Sequence, residues 1–299
     1  LRRQNFMLAI VLWSLLFPSI GQADEYFTDV QRWRQQRLTA LTAEEGFLSL
    51  AGLYWLSEGK NTFGAAEDND LIFPDGTPSH MGYFLLEDGR VRVHITAPGV
   101  TRLDTAGVEQ PVEILDFPNI QNADPPALHF RSLRFYPIER DGRYGVRLKD
   151  TQSPTRLHFP GISSFDVDPT WRIEGRFEPF AEPRSIDVPS IIGTVSQTPW
   201  PGNVVFSADG KQHRLAVFGE ASDRQFFVVF ADRSNGQETY GGGRFLVIDH
   251  HPDGRATIDF NKAYSPPCAF TPYATCPLPP AQNRLDLYVR AGEQYSGDH

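Results

Sequence analysis

Aspartate or asparagine followed by glycine recurs along this chain, at Asp75-Gly76, Asp88-Gly89, Asp141-Gly142, Asp209-Gly210, Asn235-Gly236 and Asp253-Gly254. These dipeptides suit the positive φ angles of tight hairpin turns, so each marks a place where an extended chain reverses. Between them lie short runs rich in β-branched and aromatic residues, including RVRVHI (90–95), YGVRL (144–148), QFFVVF (225–230) and RFLVI (244–248). Runs of this length separated by such turns predict a mainly β protein, folded as β-sandwich or barrel-like modules.

One stretch departs from that pattern. Tyr26, Val30, Trp33, Arg37 or Leu38, and Leu41 recur at helical spacing with charges between them. One amphipathic helix is predicted over residues 24–45, docked on a sheet. The following FLSLAGLYWL (47–56) is apolar on both parities, as a buried strand or a pair of short strands would be. Proline and polar clusters over 151–170 divide two β modules, 46–150 and 151–299.

The chain begins with Arg2 and Arg3, an apolar run from Phe6 to Phe17, Pro18, and a small-residue stretch ending at Ala23. That order is expected of a secretory signal peptide, residues 1–23. As a helix the apolar run would rise only about 18 Å against a hydrocarbon core of about 30 Å, so no membrane anchor is expected after cleavage. A periplasmic or secreted location follows. The whole chain has 28 Lys plus Arg against 37 Asp plus Glu; without its first 23 residues, which hold two arginines and no acid, 26 basic residues remain and the net charge is −11. Such acidity argues against nucleic acid as a partner, because phosphate binding needs local cationic excess.

Both cysteines, Cys268 and Cys276, lie in one proline-rich loop, residues 263–285, which holds six of the 24 prolines. In an oxidising compartment the first reading is a disulfide, worth roughly 2–3 kcal/mol for so short a loop. Zinc would need two further ligands, and the nearest upstream histidine is His251. A nucleophilic cysteine, or a pair of inert buried thiols, stays open beside the disulfide.

Around this loop stand the candidate site residues. In YGGGRF (240–245) three glycines precede Arg244, either as an anion-holding concavity beside a guanidinium or as a tight turn whose arginine pairs with a carboxylate. Asp259, Asn261 and Tyr264 end the strand before the loop, and Asn283 and Arg284 stand at its far end. They either hydrogen-bond the loop's backbone, which prolines leave short of donors, or face a pocket rimmed by it. The histidines are scattered singly or sit in the 250–251 turn, and no metal or cofactor is expected. The sequence has no G-x-S-x-G, H-E-x-x-H or C-x-x-C.

The favoured function is binding of a small anionic or polyhydroxylated ligand in a C-terminal pocket. The alternatives are a secreted hydrolase whose site is assembled around 240–285, using Asp259 or a Cys/His pair, and a structural envelope protein. Oligomeric state is not set by the sequence.

Four segments, GLYWLSEGKNTFGAAEDNDLIFPDG, YGGGRFLVI, DFNKAYSPPCAFTPYATCPLPPAQNRL and the closing VRAGEQY, resemble the bacterial domain-of-unknown-function family 1684 over roughly Trp33 to Tyr295. That resemblance implies no established reaction. Residues 61–95 are weakly similar to the opening of a forkhead-associated domain, which implies a sandwich. Ala65 after Gly64 and Gly82 after Ser79 stand where that family's phosphothreonine-binding residues would be, so phosphopeptide binding is not implied.

Overall fold

The computed structural model describes residues 20–118, 120, 125–295 and 297, so most of the expected signal peptide lies outside them. The predicted helix is present as α1 (Ile20–Thr42), and it runs through Ala23, starting earlier than the sequence pattern suggested. Val30 and Leu41 are buried, and Tyr26, Trp33, Arg37 and Leu38 are half-buried, which is the predicted face. Gly46 ends this segment: its amide donates to Ala43 O, and a Cβ there would lie 2.5 Å from Leu41 O.

Among the described residues eleven strands precede residue 151. They are β1 (Leu50–Trp55), β2 (Gly59–Gly64), β3 (Leu71–Ile72), β4 (Gly82–Glu87), β5 (Arg90–Ile95), β6 (Thr101–Leu103), β7 (Glu109–Pro111), β8 (Ile114–Phe117), β9 (Leu128–Phe130), β10 (Leu133–Arg140) and β11 (Arg143–Asp150). They form one sheet ordered β1-β11-β10-β9-β6-β7 and another ordered β3-β2-β4-β5-β8. Phe63 and Phe84 from the second sheet meet Phe135 from the first at ring separations of 5.6 and 6.5 Å, so the two sheets share one core. This is a sandwich, with alternate residues of each strand turned inward.

Six strands follow: β12 (Arg172–Pro189), β13 (Val195–Ala208), β14 (Lys211–Val217), β15 (Gln225–Phe230), β16 (Arg244–His250) and β17 (Arg255–Asp259). Their order is β14-β13-β12-β17-β16-β15. The outer strands approach each other through paired Phe218 and Phe227 backbones, with N–H···O distances of 2.9 and 3.2 Å, which curls the sheet toward a barrel. Asp88-Gly89, Asp141-Gly142 and Asp209-Gly210 each join neighbouring strands with both residues at positive φ, from 48° to 80°, as two-residue hairpins require.

The C-terminal segment closes this half-barrel. Leu285, Leu287, Val289 and Ala291 are buried in the sheet's apolar core while Asp286 and Arg290 are exposed, a strand-like alternation in a stretch with little ladder of its own. Arg244, with 0 % of its surface exposed, fastens it. Its guanidinium donates to Ala291 O at 2.5 Å, Val289 O at 3.0 Å and the Asp232 carboxylate at 2.7 Å. Asp232 in turn accepts from the amides of Ser234 and Val289. Deleting one member of a buried ion pair strands the other, a loss of about 3–5 kcal/mol. Arg244→Ala is therefore expected to lower the unfolding free energy by about that amount in urea titrations, with Arg244→Lys recovering part of it.

Candidate functional site

The proline loop does not gather its candidates into one pocket. Arg244 is enclosed and its bonds go to protein groups, so it does not face a ligand. Gly243 explains the glycine run: it has φ +91°, and a Cβ there would lie 2.4 Å from Pro279 Cγ and 2.7 Å from Phe230 O. The loop itself occupies the concavity that the sequence left open for an anion.

Asn283 is also fully buried; it accepts from Ala216 N at 2.7 Å and donates to Ala216 O and Val229 O, both at 2.9 Å. Those bonds fasten the loop's far end between β14 and β15. Arg284 is exposed, with its backbone beside Ala231. Tyr264 is half-buried, its ring under the Arg37 guanidinium at 4.8 Å and edge-on to Phe245. Burial pushes its phenol up, against the opposing charge of Arg37. Arg244 thus pairs with a carboxylate beside a tight turn, Asn283 bonds backbone, and Tyr264 packs between Arg37 and Phe245, so these three do not share a pocket.

Asp259 and Asn261 have a different setting. Asp259 lines, and Asn261 lies buried beneath, a cleft of about 910 Å³ between the N-terminal turns of α1 and the outer face of β12, β17 and β16. Register explains why that face is polar. Arg172 stands opposite Asp259, Glu174 opposite Thr257, and Asp249 opposite Thr257 from the other side, while Ile173, Ile258 and Ile248 turn into the core.

Tyr26 of α1 closes the floor. Its hydroxyl donates to Asp259 Oδ1 at 2.8 Å and accepts from the Asn261 amide at 2.9 Å, and Arg172 lies over its ring at 5.2 Å. Burial, then the charge of Asp259, pushes the Tyr26 phenol well above its ordinary range, so it stays a donor at neutral pH. Asn261 also bonds both the amide and the carbonyl of Asp168, joining β17 to the turn before β12. Lys262 donates to Asp29 at 2.6 Å and Arg32 lies 3.5 Å from the same carboxylate, so Asp29 sits below the usual carboxylate range, chiefly through the Lys262 bond.

The helix is held at its middle as well. Arg34 donates to Phe165 O, and Arg37 bonds Glu293 at 3.1 Å and Ser265 O at 2.9 Å. Tyr26, Asp29, Arg172, Asp249 and Lys262 line this cleft, and of the six residues the sequence offered only Asp259 joins them, with Asn261 bonded behind it. Tyr26 had a signal, at the edge of the apolar stripe of α1, but nothing in that spacing tied it to a carboxylate 233 residues away.

The expected staple is not formed. Cys268 and Cys276 are free thiols, the first half-buried and the second buried. Cys276 Sγ accepts the Cys268 amide at 3.1 Å, and no covalent bond joins the two sulfurs. The loop is fixed by other means: Leu278 N donates to Pro189 O at 2.7 Å and Ile191 N to Cys276 O at 3.0 Å. Among the described residues no cluster of His, Cys, Asp and Glu is arranged to hold a metal.

Residues 157–294 match the family described as "Protein of unknown function (DUF1684)", a shorter span than the motifs suggested, covering the half-barrel and its closing loop. An uncharacterised protein from gene locus rrnAC0354 of Haloarcula marismortui, solved by solution NMR, is 36% identical. The match covers 48% of this chain and 81% of that one, with a TM-score of 0.40. Neither match names a forkhead-associated domain. No curated protein matches the chain.

Removing the Tyr26 hydroxyl takes one bond from each of two partners, and truncating Asn261 leaves the Asp168 amide unmet and its carbonyl with the Trp171 amide alone. Tyr26→Phe is expected to cost about 1 kcal/mol and Asn261→Ala about 1–3 kcal/mol. Both are read from denaturation midpoints, with far-UV circular dichroism unchanged for the tyrosine variant.

Proposed function

We propose that this protein binds a small polyhydroxylated ligand in the cleft between α1 and the outer face of β12, β17 and β16. The observation that carries the reading is the charge pattern of the walls. Five carboxylates, Asp24, Glu25, Asp29, Asp249 and Asp259, stand against the three cations Arg32, Arg172 and Lys262. Two of those cations already share Asp29. An anionic ligand would enter a net negative cleft, whereas hydroxyl groups both donate to carboxylates and accept from cations. Tyr26 adds an aromatic surface of the kind on which an apolar ring face packs.

The export reading belongs to this proposal. A periplasmic or secreted protein meets such ligands outside the cytoplasm, and the apolar leader at residues 6–17 supports it.

A hydrolytic reading has one observation of its own. Asp249 faces Thr257 across β16 and β17, so Asp259 lies diagonal to it on the same face, at a residue spacing of roughly 7–8 Å that long side chains can bridge or widen. Inverting glycoside hydrolysis uses carboxylates about 6.5–9.5 Å apart, with water between.

Thermal-shift and calorimetric titration of the intact protein against neutral sugars, polyols, phosphate and dicarboxylates tests both readings. The expected result is stabilisation by a sugar or polyol and none by the anions. Arg172→Ala or Asp249→Asn should weaken that binding about tenfold, or 1.4 kcal/mol. Stabilisation by anions alone would sink the binding proposal. Release of reducing sugar, lost in Asp249→Asn, would move the assignment to hydrolysis.

A further inference from the structure

A second, separate site lies on the other side of the proline loop. Cys268 lines an open groove of about 600 Å³ between α2 (Pro154–Leu157), the following turn and the loop, with His158, Phe159, Phe270 and Tyr295 among its walls. Cys276 lies behind it, buried, its sulfur hydrogen-bonded to the Cys268 amide. Behind Cys276 comes Arg147 of β11, which is only 8 % exposed. Its side chain bonds Thr275 Oγ1 at 3.4 Å and the Tyr136 side chain, its Nε has no partner, and among the described residues no carboxylate pairs with it.

A buried guanidinium without a carboxylate is costly, and of its two titratable neighbours that can become anions, Tyr136 and Cys276, the thiol has the lower ordinary pKa. The arrangement is therefore a row: groove, half-buried thiol, buried thiol, cation without a carboxylate.

We propose that Cys268 and Cys276 form a thiol–disulfide exchange centre whose substrate is a small organic disulfide with apolar substituents, bound in the α2 groove. Cys268 attacks as thiolate; its sulfur bonds one substrate sulfur, the substrate S–S bond breaks, and the first thiolate leaves. Cys276 then gives its proton to that leaving thiolate and attacks the Cys268 sulfur of the mixed disulfide, releasing the second substrate thiolate, which takes a proton from water. The substrate disulfide gains two electrons and becomes two thiols, and the protein dithiol loses two and becomes the Cys268–Cys276 disulfide. A second dithiol of the same chemical class returns the protein to its starting state by the reverse steps.

The local electrostatics support this division of labour. A hydrogen bond from Cys276 holds the Cys268 thiol below its ordinary value against burial, and the Tyr240 hydroxyl adds to the lowering. The hydrogen bond to Cys268 and burial push Cys276 up, with the charge of Arg147 opposing. Attack thus begins at the groove and ends beside the cation, which steadies the second thiolate when it forms.

The test mixes reduced, oxygen-free protein with 2,2′-dithiodipyridine, and then with diethyl disulfide, under native conditions. Aromatic thiolate release is followed by absorbance, and the products by intact mass. The expected result with the aromatic probe is two thiolates released per wild-type chain and no adduct retained, because the second thiol displaces the first adduct. Cys276→Ser should release one and keep one as a mixed disulfide on Cys268. Cys268→Ser should react only on denaturation. Arg147→Gln should slow the second release more than the first, a split that a merely destabilised protein would not show. Wild-type protein that keeps two adducts, reacts equally fast without Cys268, or reacts only when unfolded would overturn the proposal. So would failure of diethyl disulfide to yield the intramolecular disulfide.

Discussion

A guanidinium enclosed in protein has to find its partners there, and at Arg244 that requirement organises the C-terminal half of the chain. Its partners come from separate places: Asp232 after β15, and the carbonyls of Val289 and Ala291 near the C-terminus. Neither carbonyl is used by a regular sheet ladder, so the arginine supplies donors that strand pairing does not. Once it is seated, the segment from Leu285 to Ala291 lies over the open side of the curled sheet and completes its apolar core. The pair earns its place through the geometry it imposes, since the desolvation of two charges offsets much of their mutual attraction.

The closing segment also positions the helix. Glu293 follows directly and receives Arg37 of α1 and the Ser265 amide. Burial pushes its carboxyl up while the Arg37 charge draws it back. Farther along the same helix, Tyr26 reaches Asp259 and Asn261, so α1 is held at two places and roofs the outer face of β12, β17 and β16. A polar stripe on a sheet would otherwise be solvated and flat; under the helix it becomes a walled cleft with fixed donors and acceptors. The exchange centre depends on a different junction, where Arg147 of the sandwich comes up behind the thiols of the half-barrel's loop.

Much of the architecture was legible because it rests on local rules. Asp88-Gly89, Asp141-Gly142 and Asp209-Gly210 specify hairpins through φ angles alone, and the neighbouring strands follow. The stripe of Val30, Trp33 and Leu41 specifies a helix with one buried face, although not its first residue. Asp259 and Asn261 were legible as a polar pair at a strand end. Their partner Tyr26 was not, because side-chain spacing reports which face is buried and not what lies across it. Arg244 was legible as special from the glycines before it, yet the same pattern fits an exposed concavity and a buried anchor; Pro279, 35 residues away, fills the space.

The sequence by itself determined a mainly β chain with one amphipathic helix, an acidic surface and both thiols in a single proline-rich loop. Periodicity, turn chemistry and composition act over a few residues and survive without knowledge of the rest of the fold. Only the tertiary structure decided that Arg244 and Asn283 are internal fasteners, that Asp259 opens on a cleft, and that the thiols stand free, in line with a buried cation. These outcomes depend on groups separated by tens to hundreds of residues. A side chain's exposure, partners and charge are set by what the completed fold brings against it.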